Sequence, residues 1–196
     1  MLLPMKTSRG IEPLNGRTFL LSKRQLLLTG PINDEMLQEV FEEMTFLAED
    51  AERPVKVVVD SHGGSVDAGL VLMDLLSGDE PPCEMYCLSM AASMAGILFA
   101  LGDHGRYMLP HSKLMLHPPL IVSNNAMSAP EVEHASEIMK ELHKTINELL
   151  AAKTGMSMKA MKELTSYDHY FTAQEALENN LCDEIVDFSK WKERLK

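Results

Sequence analysis

The chain has 196 residues, of which 45% are hydrophobic, enough for one domain with a core of ordinary size. Its 18 basic and 29 acidic residues give a net charge of −11, which disfavours a nucleic-acid or anionic-membrane surface. Its three cysteines form no C-x-x-C pair, so neither a disulfide framework nor a thiolate metal site is expected.

Residues 1–18 have no regular periodicity, because proline and glycine interrupt them at positions 4, 10, 13 and 16. We expect an extended or mobile N-terminal arm there, followed by a single domain over residues 19–196. The apolar run before Lys6 is too short for a signal-peptide core or a membrane span, so a cytoplasmic location is expected.

From residue 24 onward, strand patterns alternate with helix patterns. Apolar and β-branched runs predict strands at 24–31, 55–60, 84–88, 107–108, 113–116, 170–171 and 184–186. Helical periodicity predicts one helix that begins at residue 33 or 34. It predicts further helices over 66–76, 92–101, 157–164 and 173–179. The alternation indicates an α/β architecture, and the lysine-rich tail is expected on the surface.

A longer helix is predicted from a capping-box pattern, in which Ser128 is followed three residues later by Glu131. Apolar residues recur at helical intervals as far as about Lys153, and Gly155 is a suitable C-terminal stop. One face of this helix therefore has apolar surface to bury against its own domain or another subunit.

The segment 89–97 places two hydroxyls, those of Ser89 and Ser93, among small residues at the start of an apolar helix. Ser93 would lie beside free backbone amides, which stabilise negative charge developing on a substrate oxygen. The alternative is that Ser93 only caps a buried helix. The G-x-S-x-G pattern is absent, because Ala91 and Ala95 occupy the flanking positions.

Ser93, His117 and Asp168 each lie at a predicted element boundary. Together they offer a nucleophile, a general base and a carboxylate that orients the imidazole. The chain has seven histidines and many serines and aspartates, so composition alone does not select these three residues.

Several motifs, arriving in family order, resemble the proteolytic subunit of Clp protease. They are DSHGGSV at 60–66, MAASMA at 90–95, LPHS at 109–112, MLHPPL at 115–120 and DHYFTAQEA at 168–176. Shorter matches near both ends extend the similarity over nearly the whole chain. The resemblance implies a crotonase-like α/β fold of repeated ββα units, with a long handle helix in a handle region at about 120–155.

By the same resemblance, Ser93 is the nucleophile, His117 the base and Asp168 the orienting acid. The backbone amides of Gly64 and Met94 would form the oxyanion hole. Gly64 has no side chain, which lets a substrate carbonyl approach the backbone, and Met94 directly follows the nucleophile at a helix start. No cofactor or metal is implied for this subunit.

The resemblance also implies a serine endopeptidase that degrades unfolded polypeptides inside stacked heptameric rings, a tetradecamer. A hexameric AAA+ unfoldase such as ClpX, ClpA or ClpC would feed the chamber, and the N-terminal arm would gate the axial pore. ATP belongs to that partner, because the present chain has no phosphate-binding glycine-rich loop followed by lysine.

Three positions depart from the family pattern. His62 stands where the loop usually carries proline, residues 121–125 replace a glycine-rich stretch, and Tyr167 stands where relatives commonly have arginine. The last two departures predict altered contacts between rings.

Two further hypotheses stay open. The chain could be a weakly active or regulatory ring subunit that assembles with an active relative. It could also perform acyl-CoA chemistry on the same broad fold, because that chemistry needs a backbone oxyanion hole but no serine triad. The complete set of Ser93, His117 and Asp168 argues against this second hypothesis.

Overall fold

The computed structural model describes residues 2–7, 10–50, 52–121 and 126–194, and this part of the chain forms nine strands and eight α-helices. The strands are β1 (Leu2–Thr7), β2 (Gly10–Asn15), β3 (Gln25–Thr29), β4 (Val55–Ser61), β5 (Cys83–Ala92), β6 (Arg106–Met108), β7 (Lys113–Leu116), β8 (His169–Thr172) and β9 (Glu184–Ile185). The helices are α1 (Gly16–Ser22), α2 (Asp34–Leu47), α3 (Val66–Leu76), α4 (Met94–Ala100), α5 (Ala129–Thr154), α6 (Met158–Leu164), α7 (Ala173–Glu178) and α8 (Phe188–Arg194).

A seven-stranded sheet forms the framework of the domain. Its main path runs β3-β4-β5-β6-β9, with every neighbouring pair parallel. The ten-residue strand β5 forks, because its first half pairs with β6 at 85–87 and its second half pairs with β7 at 90–92. Strand β8 then joins β7 in the antiparallel direction.

Both faces of the central strands are buried. Side chains alternate along a strand, so Val57 and Met85 face the main core, which also contains residues of α2, α3 and α4. Val58 and Tyr86 face a second cluster with Val186 and Trp191. Burial on both sides explains why β4 has a continuous run of apolar residues rather than an alternating one.

The predicted alternation of strands and helices is confirmed. Helix α2 begins after Asn33, whose side chain accepts a hydrogen bond from the Met36 amide. Helix α5 begins after Ser128, whose amide and hydroxyl both donate to the Glu131 carboxylate, and it ends at Gly155. Gly155 has a φ of 74°, which favours glycine at this helix end.

Helix α5 extends far beyond the part of the domain that covers it. Its 26 residues span about 39 Å at 1.5 Å per residue, yet its buried residues begin only at Ile146. Val132 and Ile138 in the first half are each 49% exposed. Residues 122–125, within the departure predicted at 121–125, lie outside the described residues.

The N-terminal region has more regular structure than its sequence indicates. The described residues of the predicted arm form the antiparallel hairpin of β1 and β2, followed by α1. Helix α1 spans positions 18 and 19, on either side of the predicted domain boundary. Arg17 holds it against α2 through hydrogen bonds to the Glu43 carboxylate.

The C-terminal segment departs from its prediction. The expectation that the tail lies on the surface is wrong for Trp191, which is 3% exposed in α8 and packs 5.2 Å from the Tyr86 ring. The local sequence is mostly polar, and the one tryptophan acquires its role only from the sheet face that it covers. None of the helices in the described ranges combines the length and apolarity needed to cross a bilayer.

Replacing Trp191 with Ala should lower the free energy of unfolding by about 3–5 kcal/mol, because a large buried side chain is lost and a cavity remains. The measurement is the thermal or urea unfolding transition. Phe188→Ala is the matched control, since Phe188 lies in the same helix but is 69% exposed, and its effect should stay within about 0.5 kcal/mol. Equal effects of the two substitutions would contradict the packing described for α8.

Candidate active site

The fork in β5 positions Ser93 beside the end of β7. Ala92 is paired with Met115 in the parallel ladder, and the Ser93 amide donates to the Met115 carbonyl at 2.9 Å. Ser93 therefore lies at the tip of a strand that is longer than predicted and not within the helix expected from residue 92. The extension of β5 depends on hydrogen bonds to a strand more than twenty residues away, which local periodicity does not reveal.

Strand β8 places Asp168 directly across from His117. The antiparallel register pairs Leu116 with His169, so the next pair in the same register is His117 with Asp168. Directly opposed residues in such a pair have Cβ atoms about 5 Å apart. The topology therefore brings Ser93, His117 and Asp168 to one edge of the sheet.

Ser93 Oγ and His117 Nε2 are hydrogen-bonded at 2.6 Å. Ser93 precedes α4 with φ 55° and ψ −127°, and its side chain makes no capping hydrogen bond. The Ser93 hydroxyl therefore does not cap α4. A positive φ at a residue other than glycine is an unfavourable conformation, and here it projects the hydroxyl away from the helix towards the imidazole.

Asp168 faces the other ring nitrogen of His117 but does not reach it. The distance from Asp168 Oδ1 to His117 Nδ1 is 4.0 Å, and the aspartate side chain is 66% exposed. His117 Nδ1 is buried and has no hydrogen-bond partner among the described residues. A displacement of about 1 Å would bring the carboxylate within hydrogen-bonding distance.

The loop after β4 presents two glycines to Ser93. Ile32 forms a bridge in which its amide donates to the Gly63 carbonyl and its carbonyl accepts from the Ser65 amide. Because the residues on either side of Gly64 make these bonds, the Gly64 amide is directed away from Ile32. A Cβ added at Gly64 would collide with the Ile32 carbonyl, so only glycine fits this crossing.

Met94 supplies a second backbone amide next to Ser93. As the first residue of α4, it has no intrahelical acceptor for its N–H group. Its side chain is buried and packs so closely on Gly69 of α3 that any larger residue there would overlap it. Gly64 and Met94 both line the cavity described next, on the side where Ser93 lies.

A cavity of about 340 Å³ opens beside Ser93 and His117. Most of its wall is apolar. The residues that supply this wall include Ile97, Met115, Leu116, Ile146 and Leu150. The cavity can therefore hold an apolar side chain next to the Ser93 hydroxyl.

One side of the cavity is polar. His143 Nε2 lies 3.1 Å from Thr165 Oγ1, and that hydroxyl lies 2.7 Å from Asn147 Oδ1. Burial lowers the pKa of His143, a hydrogen bond with the Thr165 backbone opposes the change, and nearby Lys162 lowers the pKa further. Because the Thr165 hydroxyl donates its proton to Asn147 Oδ1, its oxygen is the acceptor in the contact with His143 Nε2.

Comparison with protein families gives one clear match. The family model described as Clp protease matches residues 10–189. The chain belongs to the Clp protease family. Its mostly parallel sheet with helices on both faces is the fold that this family implies, and the family makes the chain a Clp-type peptidase.

Other nucleophiles of this Clp protease chain are less suitable than Ser93. The Ser89 hydroxyl donates to Asp60 Oδ1 at 2.5 Å. Burial raises the pKa of the Cys83 and Cys87 thiols to about 12 and that of Cys182 to about 11, so all three stay protonated near neutral pH. Within the described ranges, no group of three or more His, Cys, Asp or Glu side chains is placed to bind a metal ion.

Gly63 was missed by sequence reasoning, although it lies in the motif that was recognised. Its φ is +88°, and a Cβ there would lie 2.7 Å from Ser93 Cβ and 2.9 Å from the Met94 amide nitrogen. Ser61 supports the same turn, because its hydroxyl donates to the Gly30 carbonyl and accepts from the Gly63 amide. A pair of glycines after a buried strand was the available signal for such close packing. His143 left no comparable signal.

Gly63→Ala should reduce kcat by about a hundredfold to a thousandfold, because displacing the loop removes the effect of one oxyanion donor. The measurement is hydrolysis of a short peptide by the folded variant. Gly30→Ala is the matched control: Gly30 also has a positive φ, 92°, but no atom lies within 4 Å of an added Cβ. If both variants lose activity equally, backbone conformation and not contact with Ser93 explains the loss.

Proposed function

We propose that the chain is a serine endopeptidase, the proteolytic subunit of an ATP-dependent Clp protease. The observation that carries this proposal is the 2.6 Å hydrogen bond between Ser93 Oγ and His117 Nε2. A hydroxyl bonded to an imidazole, with two backbone amides beside it, is the arrangement needed for nucleophilic attack on a carbonyl.

In the proposed reaction, Ser93 Oγ attacks the peptide carbonyl while His117 Nε2 accepts the hydroxyl proton. The amides of Gly64 and Met94 stabilise the oxyanion, and His117 then donates the proton to the leaving amine. Water, deprotonated by the same imidazole, hydrolyses the acyl-enzyme and regenerates Ser93. Asp168 holds the ring orientation and stabilises the imidazolium.

The cavity supports an unfolded polypeptide as the substrate. Its apolar wall fits the apolar side chain of the residue whose carbonyl is attacked. Folded proteins bury most such side chains, so a cavity of this kind selects segments that have already been unfolded.

We further propose that the subunits form heptameric rings stacked in pairs. The long helix α5, with half-exposed Val132 and Ile138, offers apolar surface that its own domain leaves uncovered. A hexameric AAA+ unfoldase such as ClpX, ClpA or ClpC would use ATP to deliver the substrate, and the hairpin of β1 and β2 would gate entry. The proposed location is the cytoplasm, with no cofactor in this subunit.

The second candidate is a weakly active or regulatory ring subunit that assembles with an active relative. The 4.0 Å separation of Asp168 and His117, with Tyr167 in place of the family's common arginine, favours it. Acyl-CoA chemistry would use the two amides but would leave the bonded Ser93 and His117 without a role.

A fluorophosphonate probe should label the wild-type chain at one site. Labelling and peptide hydrolysis should both disappear in Ser93→Ala, because the probe reacts with the activated serine. Ser89→Ala is the matched control and should keep both properties, since the Ser89 hydroxyl is engaged by Asp60. Mass spectrometry of the labelled peptide is the measurement. Labelling that persists in Ser93→Ala would refute the nucleophile assignment.

The two candidate functions differ in the activity of the pure protein. Peptide hydrolysis should be measured across fractions separated by oligomeric state, with the mass of the assembly in each fraction determined by analytical ultracentrifugation. We expect a homomeric ring fraction to hydrolyse peptides and to lose about ten-thousandfold in kcat on Asp168→Asn. An inactive homomer that gains activity only when mixed with a related subunit would instead support the regulatory candidate.

A further inference from the structure

A stack of three rings runs along one side of β8, next to the proposed acid. The Tyr167 and His169 rings have centroids 5.7 Å apart and planes inclined by 30°. The His169 and Phe171 rings are closer, at 4.2 Å and 19°. Phe171 is fully buried in the core, His169 is half-buried and Tyr167 is exposed, so the stack runs outward from the core.

Asp168 lies between two members of this stack in the sequence. Side chains alternate along β8, so His169 and Phe171 project to one side, and Tyr167, in the bend before the strand, stacks on His169. The same alternation directs Asp168 to the opposite side. That is the side on which the register places His117. The ring stack and the Asp168 side chain therefore lie on opposite faces of the same short segment.

We propose that Tyr167 and His169 are positioning residues that hold Asp168 opposite His117 Nδ1 through this ring stack. The inference rests on the proposed function, because it gives Tyr167 and His169 a role only if Asp168 acts in catalysis. A ring stack within one subunit then aligns Asp168, the third residue of the proposed triad.

The position of the Asp168 carboxylate depends on the neighbouring residues in the chain. Its carboxylate makes no hydrogen bond within the described ranges, and its side chain is mostly exposed. The backbone ladder between β7 and β8 stops at the pair of Leu116 and His169, one residue short of it. The placement of the carboxylate thus depends on the backbone at 167–169, which the stacked rings restrict.

The state of His169 indicates that its ring acts by stacking. Its Nδ1 atom is buried and has no hydrogen-bond partner in the described part of the chain. Within the described residues, His169 Nδ1 therefore makes no hydrogen bond that a phenyl ring in its place would lose. Phenylalanine should therefore replace it without loss, whereas a small side chain should not.

The test compares four single variants by steady-state kinetics on a short peptide. Tyr167→Ala should lower kcat by about twofold to tenfold and His169→Ala by about tenfold to a hundredfold, with KM unchanged, since one and two aromatic contacts are lost. Tyr167→Phe and His169→Phe should keep wild-type kcat. Phe188→Ala is the matched control, because Phe188 is also an exposed aromatic residue but lies in α8, outside the stack.

A double-mutant comparison separates positioning from general destabilisation. In an Asp168→Asn background, neither alanine substitution should lower kcat further, because the group that the stack positions is already lost.

Three results would overturn the inference: unchanged kcat in both alanine variants, equal losses in His169→Phe and His169→Ala, or full additivity with Asp168→Asn. Ser93→Ala is assayed in the same series. Full activity in Ser93→Ala would refute the proposed function itself, whereas its inactivity together with wild-type behaviour of Tyr167→Ala and His169→Ala would refute only the positioning role.

Discussion

The registers that link β5, β7 and β8 are the constraint on which the site depends. The bond from the Ser93 amide to the Met115 carbonyl fixes Ser93 beside β7, and the antiparallel register of β8 sets Asp168 across from His117. Buried Phe171 keeps that register, since a shift of one residue would expose its ring and turn Asp168 away from His117. The same hydrogen bonds that complete the sheet thus bring Ser93, His117 and Asp168 together.

The backbone at Ser93 is held in an unfavourable conformation, which costs about 1–3 kcal/mol. The ladder to β7 before it and the burial of all seven residues of α4 after it offset this cost. Gly63 and Gly64 extend the arrangement, because their missing side chains let one loop pack against both Ser93 and Ile32. Strain, packing and the absence of Cβ atoms together place the Ser93 hydroxyl beside the His117 imidazole.

Much of the fold follows from the sequence, because local patterns determine it. Asn33 and the capping box of Ser128 marked two helix starts, and the run of β4 marked a strand buried on both faces. The full length of β5 and the burial of Trp191 could not be predicted, since both depend on partners distant in the sequence. The candidate site was named through motifs, whereas its geometry, including the gap at Asp168, required the strand registers.

The most direct test is a crystal structure of the assembled protein after reaction with a peptide fluorophosphonate. The account predicts a bond from phosphorus to Ser93 Oγ, with the phosphoryl oxygen within about 3 Å of the Gly64 and Met94 amides. It also predicts the peptide's apolar side chain in the cavity and Asp168 within hydrogen-bonding distance of His117 Nδ1. An adduct on another residue, or a phosphoryl oxygen directed away from both amides, would contradict it.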